Sequence, residues 1–230
     1  SCLVGCVLEQ NKKHKGACVI NPFAGKEAIL KLTPATTKKK IMIVGGGMGG
    51  LNASRYAALR GFEVSLFEKT DTLGGQINLA NKIEGKEEMG KWVPFLISEC
   101  KRLNVDIHLN HEVTKEEIEN SDYDTILIST GAYPVTQNNY PNAHDILSGK
   151  TIIDRGNVCI IGGGMVAVEC AEYIDAHKQG DLSMTMIEMK KQIDQGEAPA
   201  NYANTMRHIA TIPLKPLTET KLISIDNGNV

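Results

Sequence analysis

The sequence predicts an α/β fold with two copies of a strand, glycine turn, helix and second strand, behind a cysteine-rich N-terminal loop segment. The first copy begins at the apolar run "IMIV" (41–44) and the second at "NVCII" (157–161). A continuous apolar run is typical of a parallel strand that is buried on both faces. The chain contains 22 glycines and only 5% aromatic residues, which suits an α/β protein with tight strand-to-helix turns.

The first glycine turn has the spacing G-x-G-x-x-G, carried by Gly45, Gly47 and Gly50. Between a strand and a helix, this spacing is typical of a Rossmann-like dinucleotide-binding unit. Gly45 permits the tight turn, Gly47 lets the backbone approach a pyrophosphate, and Gly50 lets the helix and the strand pack closely. The next predicted strand (62–68) ends in Glu68, whose carboxylate can accept a hydrogen bond from a ribose hydroxyl.

The second glycine turn has the related spacing G-x-G-x-x-A, carried by Gly162, Gly164 and Ala167. Its second strand ends in Glu188. A carboxylate at this position favours the free 2′-hydroxyl of NADH and repels the 2′-phosphate of NADPH. Lys190 and Lys191 follow the acid and oppose that preference for NADH, so the sequence favours NADH and leaves NADPH open.

The rest of the pattern predicts further strands over 105–110 and 125–130 and a division into three parts. These parts are a cysteine segment (1–37), a first dinucleotide-binding domain (38–150) and a second dinucleotide-binding domain (151–230) that is expected to be truncated. A connector rich in Asn, Pro and Asp joins the two copies over 135–156. The tail is predicted to contain short strands and turns and ends on "NGNV", a hairpin signal.

Charge and hydropathy exclude two classes of partner. The net charge of the 230-residue chain is −2, which gives no reason to expect a nucleic acid. No apolar run approaches the ~20 residues that span a bilayer, and no signal peptide is visible. We therefore expect a cytoplasmic protein that acts on a small molecule and can form a homo-oligomer.

Two further motifs resemble the two-dinucleotide-binding flavoprotein superfamily. "LGGQ" (73–76) follows the first copy, and Thr130 and Gly131 match the superfamily's A-T-G motif, with Ser129 in place of the usual Ala. The resemblance implies that the first site holds FAD and the second holds NAD(P)H. It also implies that residues of both motifs bind the cofactor, namely Gly74, Gly75, Gln76, Thr130 and Gly131.

The six cysteines fall into two groups. Three of them are expected to be core or structural residues: Cys100, Cys159 and Cys170. No cysteine lies between Gly50 and Cys100. Disulfide reductases of the superfamily carry a redox-active cysteine pair in this region, so the sequence disfavours that subfamily. The other three crowd the N-terminus, where the absence of C-x2-C pairs argues against zinc and cytosolic-type nucleotide motifs argue against a disulfide.

The N-terminal spacing Cys2-x3-Cys6-x11-Cys18, followed by "VINP", resembles the cluster-binding segment of the iron–sulfur flavoenzymes related to old yellow enzyme. A [4Fe–4S] cluster takes four thiolates, and this segment supplies three. The resemblance implies a fourth cysteine just before Ser1 and an FMN-binding (β/α)₈ barrel ahead of it. It also implies a late "GD" motif, and no such segment occurs after residue 191. We therefore expect this fragment to hold FAD weakly or not at all.

The resemblance implies a fragment of an NAD(P)H-dependent flavin oxidoreductase. Electrons would pass from NADH through FAD and the cluster to FMN, and the barrel would reduce an activated C=C bond or, in a dehydrogenase branch, oxidise an amine. No residue of this chain is assigned to substrate chemistry. Two alternatives stay open: the electron-input subunit type of glutamate synthase, and a nucleotide-binding structural or regulatory module that holds ADP without turnover.

Overall fold

The computed structural model describes residues 17–135, 140–194, 199–226 and 230. The elements that surround the first glycine turn are β1 (Lys40–Val44), α1 (Met48–Leu59), β2 (Glu63–Phe67), α2 (Ile77–Ala80), α3 (Glu87–Gly90), α4 (Trp92–Arg102), β3 (Asp106–His108), α5 (Lys115–Glu119) and β4 (Thr125–Ile128). Those that follow are α6 (Ala143–Leu147), β5 (Gly156–Ile161), α7 (Met165–Ala176), β6 (Leu182–Ile187), α8 (Pro199–Ile209) and β7 (Leu214–Leu217).

The described residues divide into two compact units. One comprises residues 27–133, and the other contains the described residues before 27 and after 133. Each unit contains one of the glycine turns, and each is built from parallel strands joined by helices, which confirms the predicted α/β fold. The predicted boundaries between residues 37 and 38 and between 150 and 151 stay predictions.

The first unit contains a four-stranded parallel sheet in the order β3-β2-β1-β4. Ile43 on the central strand β1 pairs with Leu66 on one side and Leu127 on the other. Parallel neighbours need a crossover connection, and α1 supplies it between β1 and β2. The carboxyl ends of the four strands therefore meet at one edge, where the glycine turn follows β1.

Helix α4 completes the core of the first unit; the sequence-based interpretation places Cys100 near the end of a helix but does not give the bounds of that helix. Val93, Leu96 and Cys100 recur at helical spacing on this helix and are all buried. They share one hydrophobic cluster with Leu51 of α1 and Leu66 of β2. This spacing of three and four residues between apolar positions is the pattern in the sequence that indicates the extent of α4.

The second unit contains a three-stranded parallel sheet in the order β5-β6-β7. Helix α7 packs its apolar face, including Val168 and Ile174, into a cluster with Met184 and Met186 of β6. The predicted short strand in the tail is confirmed as β7. Residues 227–229, which carry most of the hairpin signal, lie outside the described residues.

The connector between the two copies contains a helix, α6, that its polar composition does not predict. Asn142 caps it: its side chain accepts a hydrogen bond from the Asp145 N–H at 3.2 Å, and the Asp145 carboxylate accepts the Asn142 N–H at 3.3 Å. Ile146 and Leu147 are buried behind this capping box. Residues 17–39 contain no helix or strand. The rest of the predicted N-terminal loop segment lies outside the described residues, so that prediction stays a prediction.

Within the described ranges, no helix combines the length and the hydropathy that crossing a membrane would require.

Ser54 is a buried polar residue in the core-facing side of α1. Its side chain is fully buried, and its hydroxyl has no hydrogen-bond partner among the described residues. Ala171, which lies seven residues after Gly164 as Ser54 lies seven after Gly47, occupies the matching position of α7 and is also fully buried. The structure therefore tolerates a methyl group where Ser54 holds an unpaired hydroxyl.

Ser54→Ala is expected to raise the free energy of unfolding by about 1 kcal/mol, because it removes a buried hydroxyl that gains no hydrogen bond on folding. Urea titration followed by circular dichroism measures the change as a shift of the midpoint at constant slope. A lower midpoint in the variant would show that the hydroxyl has a stabilising partner.

Candidate functional site

The first glycine turn needs glycine at two positions for reasons of backbone geometry. Gly45 has φ = +104°, and a Cβ there would lie 2.5 Å from the carbonyl oxygen of Ser129. A Cβ at Gly50 would collide with the Gly45 carbonyl oxygen and approach the Ser129 hydroxyl oxygen to 2.8 Å. The predicted roles of Gly45 in the tight turn and of Gly50 in close packing are therefore consistent with the structure.

Gly47 is different, because no contact among the described residues requires it to be glycine. It is the N-cap of α1 with φ = −72° and ψ = −173°, an extended conformation that any residue adopts. Of the described atoms, a Cβ there would touch only the Gly75 Cα, at 3.9 Å. The missing side chain thus keeps space open in front of the N-terminus of α1, where free N–H groups and the helix dipole favour an anion. This space fits the pyrophosphate of a dinucleotide.

Glu68 follows β2 and is bound to the glycine turn. One carboxylate oxygen accepts the Gly46 N–H at 2.7 Å, and the other accepts the Thr70 N–H and hydroxyl, both at 2.9 Å. Burial by itself raises the pKa of Glu68, but the hydrogen bonds from Thr70 and Gly46 outweigh it and hold the pKa below its ordinary value. The carboxylate is therefore ionised at neutral pH, and of its roughly four lone-pair sites about one is left for a ribose hydroxyl.

The segment "LGGQ" closes over the same turn. The Gly74 N–H donates to the Gly46 carbonyl at 2.9 Å, and Gly74 also forms an isolated parallel bridge with Gly47. The Gln76 side-chain amide donates to the Ala132 carbonyl at 2.9 Å, which ties this segment to the loop after β4.

That loop contains Thr130 and Gly131, and Gly131 has φ = +74°. Ser129, Thr130 and Gly131 directly follow β4, whose carboxyl end lies beside that of β1. The structure therefore brings all the predicted residues of the first site to one edge of one sheet.

The second glycine turn repeats this geometry in the other unit. Gly162 has φ = +96°, and Gly164 is the N-cap of α7 in an extended conformation. A Cβ at Gly164 would meet no atom within 4 Å among the described residues, so this helix N-terminus is open as well. Ala167 lies in the first turn of α7 and packs against the core of the unit.

Glu188 follows β6 and binds its glycine turn as Glu68 binds the first one. Its carboxylate oxygens accept the Gly163 N–H and the Lys190 N–H, both at 2.7 Å. The hydrogen bonds from Lys190 and Gly163 lower the pKa of Glu188. Two of its lone-pair sites are used in this way, which leaves others for the two hydroxyls of a ribose.

The sequence-based prediction misses the residues that close the second turn. Ile193 packs where a Cβ at Gly163 would lie, and the Asp194 N–H donates to the Gly163 carbonyl at 2.6 Å. Leu73 and Gly74 make the same two contacts with Gly46 in the first unit. The signal was available, because both closing pairs begin five residues after the acid of their unit.

Of the three cysteines that were expected in the core, Cys100 and Cys170 lie there, while Cys159 is only partly buried. Cys100 and Cys170 are buried, and burial raises the pKa of each thiol to about 11. Cys159 lies on β5, and burial raises its pKa too. These thiols are poor thiolate ligands at neutral pH.

Of the predicted cluster ligands, Cys18 is exposed, while Cys2 and Cys6 lie outside the described residues. Within the part of the chain that is described, no group of three or more His, Cys, Asp or Glu side chains is arranged to hold a metal ion. The predicted cluster site stays a prediction.

Comparison with known proteins gives matches along the whole chain. The family model described as pyridine nucleotide-disulphide oxidoreductase matches residues 39–212. A bilirubin reductase of Mediterraneibacter gnavus is 32% identical over 237 residues, which cover 100% of this chain and 36% of the relative. A multifunctional alkene reductase/demethylase OYE of Caballeronia cordobensis is 28% identical over 227 residues, covering 93% of this chain and 33% of the relative.

Among solved structures, a 2-naphthoyl-CoA reductase in complex with 2-naphthoyl-CoA superposes with a TM-score of 0.90 at 28% identity, covering 98% of this chain and 35% of that one. The chain thus spans about a third of the length of these proteins. The resemblance to flavoenzymes related to old yellow enzyme is confirmed, and so is the expectation of an oxidoreductase. The family model covers most of the sequence, including both glycine turns, and on that ground the chain belongs to the pyridine nucleotide-disulphide oxidoreductase family.

Proposed function

We propose that this chain is the electron-input part of an NADH-dependent enzyme whose electrons pass through FAD and a [4Fe–4S] cluster to an FMN-binding barrel that reduces an activated C=C bond. The observation that carries the proposal is the matched pair of open glycine turns, one in each unit, each bound by a carboxylate. Two dinucleotide sites in one chain fit transfer of electrons between two cofactors. The alkene reductase and the naphthoyl-CoA reductase among the similar proteins support a C=C substrate.

The residues of the first unit fit FAD. The open N-terminus of α1 at Gly47 would hold the pyrophosphate, and Glu68 would accept hydrogen bonds from the adenosine ribose. The "LGGQ" segment holds the turn in shape from the side of Gly74. Bound FAD would supply the ability to take up a hydride and pass on single electrons.

The residues of the second unit fit a nicotinamide dinucleotide. The open N-terminus of α7 at Gly164 would hold its pyrophosphate, and Glu188 would face its adenosine ribose. Because the Gly163 and Lys190 N–H groups fix the Glu188 carboxylate, it would present its free lone pairs in one orientation. This arrangement favours a ribose with two free hydroxyls, as in NADH.

The cluster is proposed on the spacing of Cys2, Cys6 and Cys18 and on the resemblance that this spacing carries. The exposure of Cys18 supports this proposal, because an exposed thiol is accessible to a cluster. The thiols of Cys100 and Cys170 are buried and are therefore unavailable as ligands. A [4Fe–4S] cluster in this segment would be held by these three thiolates and by a fourth from the part of the protein ahead of Ser1.

The test uses the natural full-length protein, purified without oxygen, with Cys18→Ser and the control Cys159→Ser. For each protein we would measure iron, acid-labile sulfide, FAD and FMN, NADH-dependent reduction of a dye that takes electrons from FAD, and NADH-dependent reduction of cinnamate, an α,β-unsaturated acid. Cys18→Ser is expected to lose iron and cinnamate reduction while dye reduction persists. Cys159→Ser is expected to retain its iron, the reduction of cinnamate and the reduction of the dye.

Two outcomes would contradict the proposal. A Cys18→Ser variant that keeps its iron and reduces cinnamate would exclude Cys18 as a ligand on the electron path. A wild-type protein that binds ADP but contains no flavin would favour the nucleotide-binding module without turnover.

A further inference from the structure

Ser129 carries a hydroxyl at the base of the first glycine turn. It directly follows β4, and its hydroxyl lies 2.9 Å from the Gly45 carbonyl oxygen and 3.0 Å from the Val44 carbonyl oxygen. The Val44 carbonyl already accepts the backbone N–H of Ser129 at 2.8 Å. The Ser129 hydroxyl has only one proton, and we therefore assign its hydrogen bond to the Gly45 carbonyl oxygen, which lies closer.

The Gly45 carbonyl belongs to the same peptide group as the Gly46 N–H. That N–H donates to the Glu68 carboxylate at 2.7 Å. A continuous chain of hydrogen bonds thus runs from the Ser129 hydroxyl through the Gly45–Gly46 peptide to Glu68. It joins the carboxyl ends of β4, β1 and β2.

This chain of hydrogen bonds has two physical consequences for Glu68. A peptide group that accepts a hydrogen bond at its oxygen becomes more polarised and donates more strongly through its N–H. The hydroxyl also restrains the orientation of a peptide plane next to Gly45, a residue whose backbone would otherwise have wide conformational freedom. Both effects hold the Glu68 carboxylate in one position.

We infer that Ser129 is a positioning residue of the first dinucleotide site, which acts through the Gly45–Gly46 peptide to aim the Glu68 carboxylate at the adenosine ribose. The inference rests on the proposed function of this site as an adenine-dinucleotide site. Ser129 itself acts from behind the turn, so its contribution is specific to the ribose hydroxyls and not to the pyrophosphate.

The experiment measures binding of ADP and of 2′,3′-dideoxy-ADP, which lacks the hydroxyls that Glu68 would hold, by calorimetry. All proteins carry Gly164→Val to block the second site, and the variants in this background are Ser129→Ala, Ser129→Thr and Ser54→Ala. Ser54→Ala is a matched control, because it makes the same chemical change at a buried serine whose hydroxyl has no partner among the described residues.

Ser129→Ala is expected to lower the affinity for ADP about tenfold and to change the affinity for the dideoxy analogue less than about twofold, the size expected for one weakened hydrogen bond to a charged group. Ser129→Thr keeps the hydroxyl and is expected to retain the preference for ADP. Ser54→Ala is expected to retain it as well.

The outcomes separate this inference from the proposed function. If the Gly164→Val parent binds neither ligand, the assignment of the first site as an adenine-dinucleotide site fails. If the parent binds both ligands equally, Glu68 does not hold the ribose hydroxyls and the inference about Ser129 is wrong. If the parent prefers ADP and Ser129→Ala keeps that preference, or lowers both affinities equally, Ser129 has only a structural role and the inference is wrong.

Discussion

Gly47→Val is expected to lower the affinity of the first site for ADP about a hundredfold while the fold stays intact. Among the described atoms, an added Cβ at Gly47 would meet only the Gly75 Cα, at 3.9 Å, which is an ordinary contact, so the fold accommodates a Cβ there. Valine would occupy the space in front of the N-terminus of α1 that the pyrophosphate needs. Loss of one or two charge-assisted hydrogen bonds costs about 3 kcal/mol, which corresponds to a factor of about a hundred.

Gly49→Ala is the control for this prediction. Gly49 lies in the same turn, but a Cβ there would point toward the Ser129 Cβ at 3.8 Å, an ordinary contact inside the unit. Alanine also suits a helix better than glycine, so a gain in the free energy of unfolding of up to about 1 kcal/mol is expected. Its affinity for ADP should stay within about twofold of the parent.

Both variants are measured by calorimetry with ADP in the Gly164→Val background, with urea titration to follow stability. An unchanged affinity in Gly47→Val would show that this turn does not contact the nucleotide. A loss of stability as large as the loss of affinity would show that Gly47 serves the fold and not the ligand.

The full-length enzyme is expected to prefer NADH over NADPH by at least about tenfold, with Glu188 as the discriminating residue. The pKa of Glu188 is lowered by the hydrogen bonds from Lys190 and Gly163, so the carboxylate is charged throughout the neutral range. Those hydrogen bonds also prevent it from turning away from a 2′-phosphate. Two like charges about 4 Å apart repel by a few kcal/mol at an intermediate effective dielectric, and a tenfold preference needs only about 1.4 kcal/mol.

Steady-state kcat/KM with each donor measures the preference, for wild type, Glu188→Gln and Lys191→Gln. Glu188→Gln removes the charge and should bring the two donors within about threefold of each other. Lys191→Gln removes a cation that opposes the preference and should leave NADH favoured. If NADPH is the better donor to the wild type, the assignment of Glu188 is wrong. If Glu188→Gln keeps the wild-type ratio, another group discriminates.

Much of both sites could be predicted from the sequence because the relevant signals are local. The need for positive φ at Gly45 and Gly162 follows from a glycine directly after an apolar run. Glu68 and Glu188 are recognisable because each closes the next apolar run. Cys100 and Cys170 are recognisable as core residues from their apolar helical surroundings. Each of these inferences depends on a few consecutive residues.

Helix α6 was not predictable in this way, although its Ile146 belongs to the core of the second unit. Helix α6 has only five residues, too few to show a helical period, and lies in a segment with a polar composition. It forms because a capping box satisfies its first turn and because Ile146 and Leu147 find a core to pack against. Burial of that kind depends on the rest of the unit.

The sequence by itself determined that this chain has two dinucleotide-binding turns, each with its glycines and its acid, because strand period, backbone conformation and chain order are properties of neighbouring residues. Only the tertiary structure decided that each acid is tied to its own turn and that "LGGQ" closes the first one. It alone placed the Ser129 hydroxyl beneath Gly45. The partners in these contacts lie between 22 and 84 residues apart. Such contacts depend on which strand ends meet at a sheet edge, and in a parallel sheet that order is set by the packing of the crossover helices rather than by any local pattern.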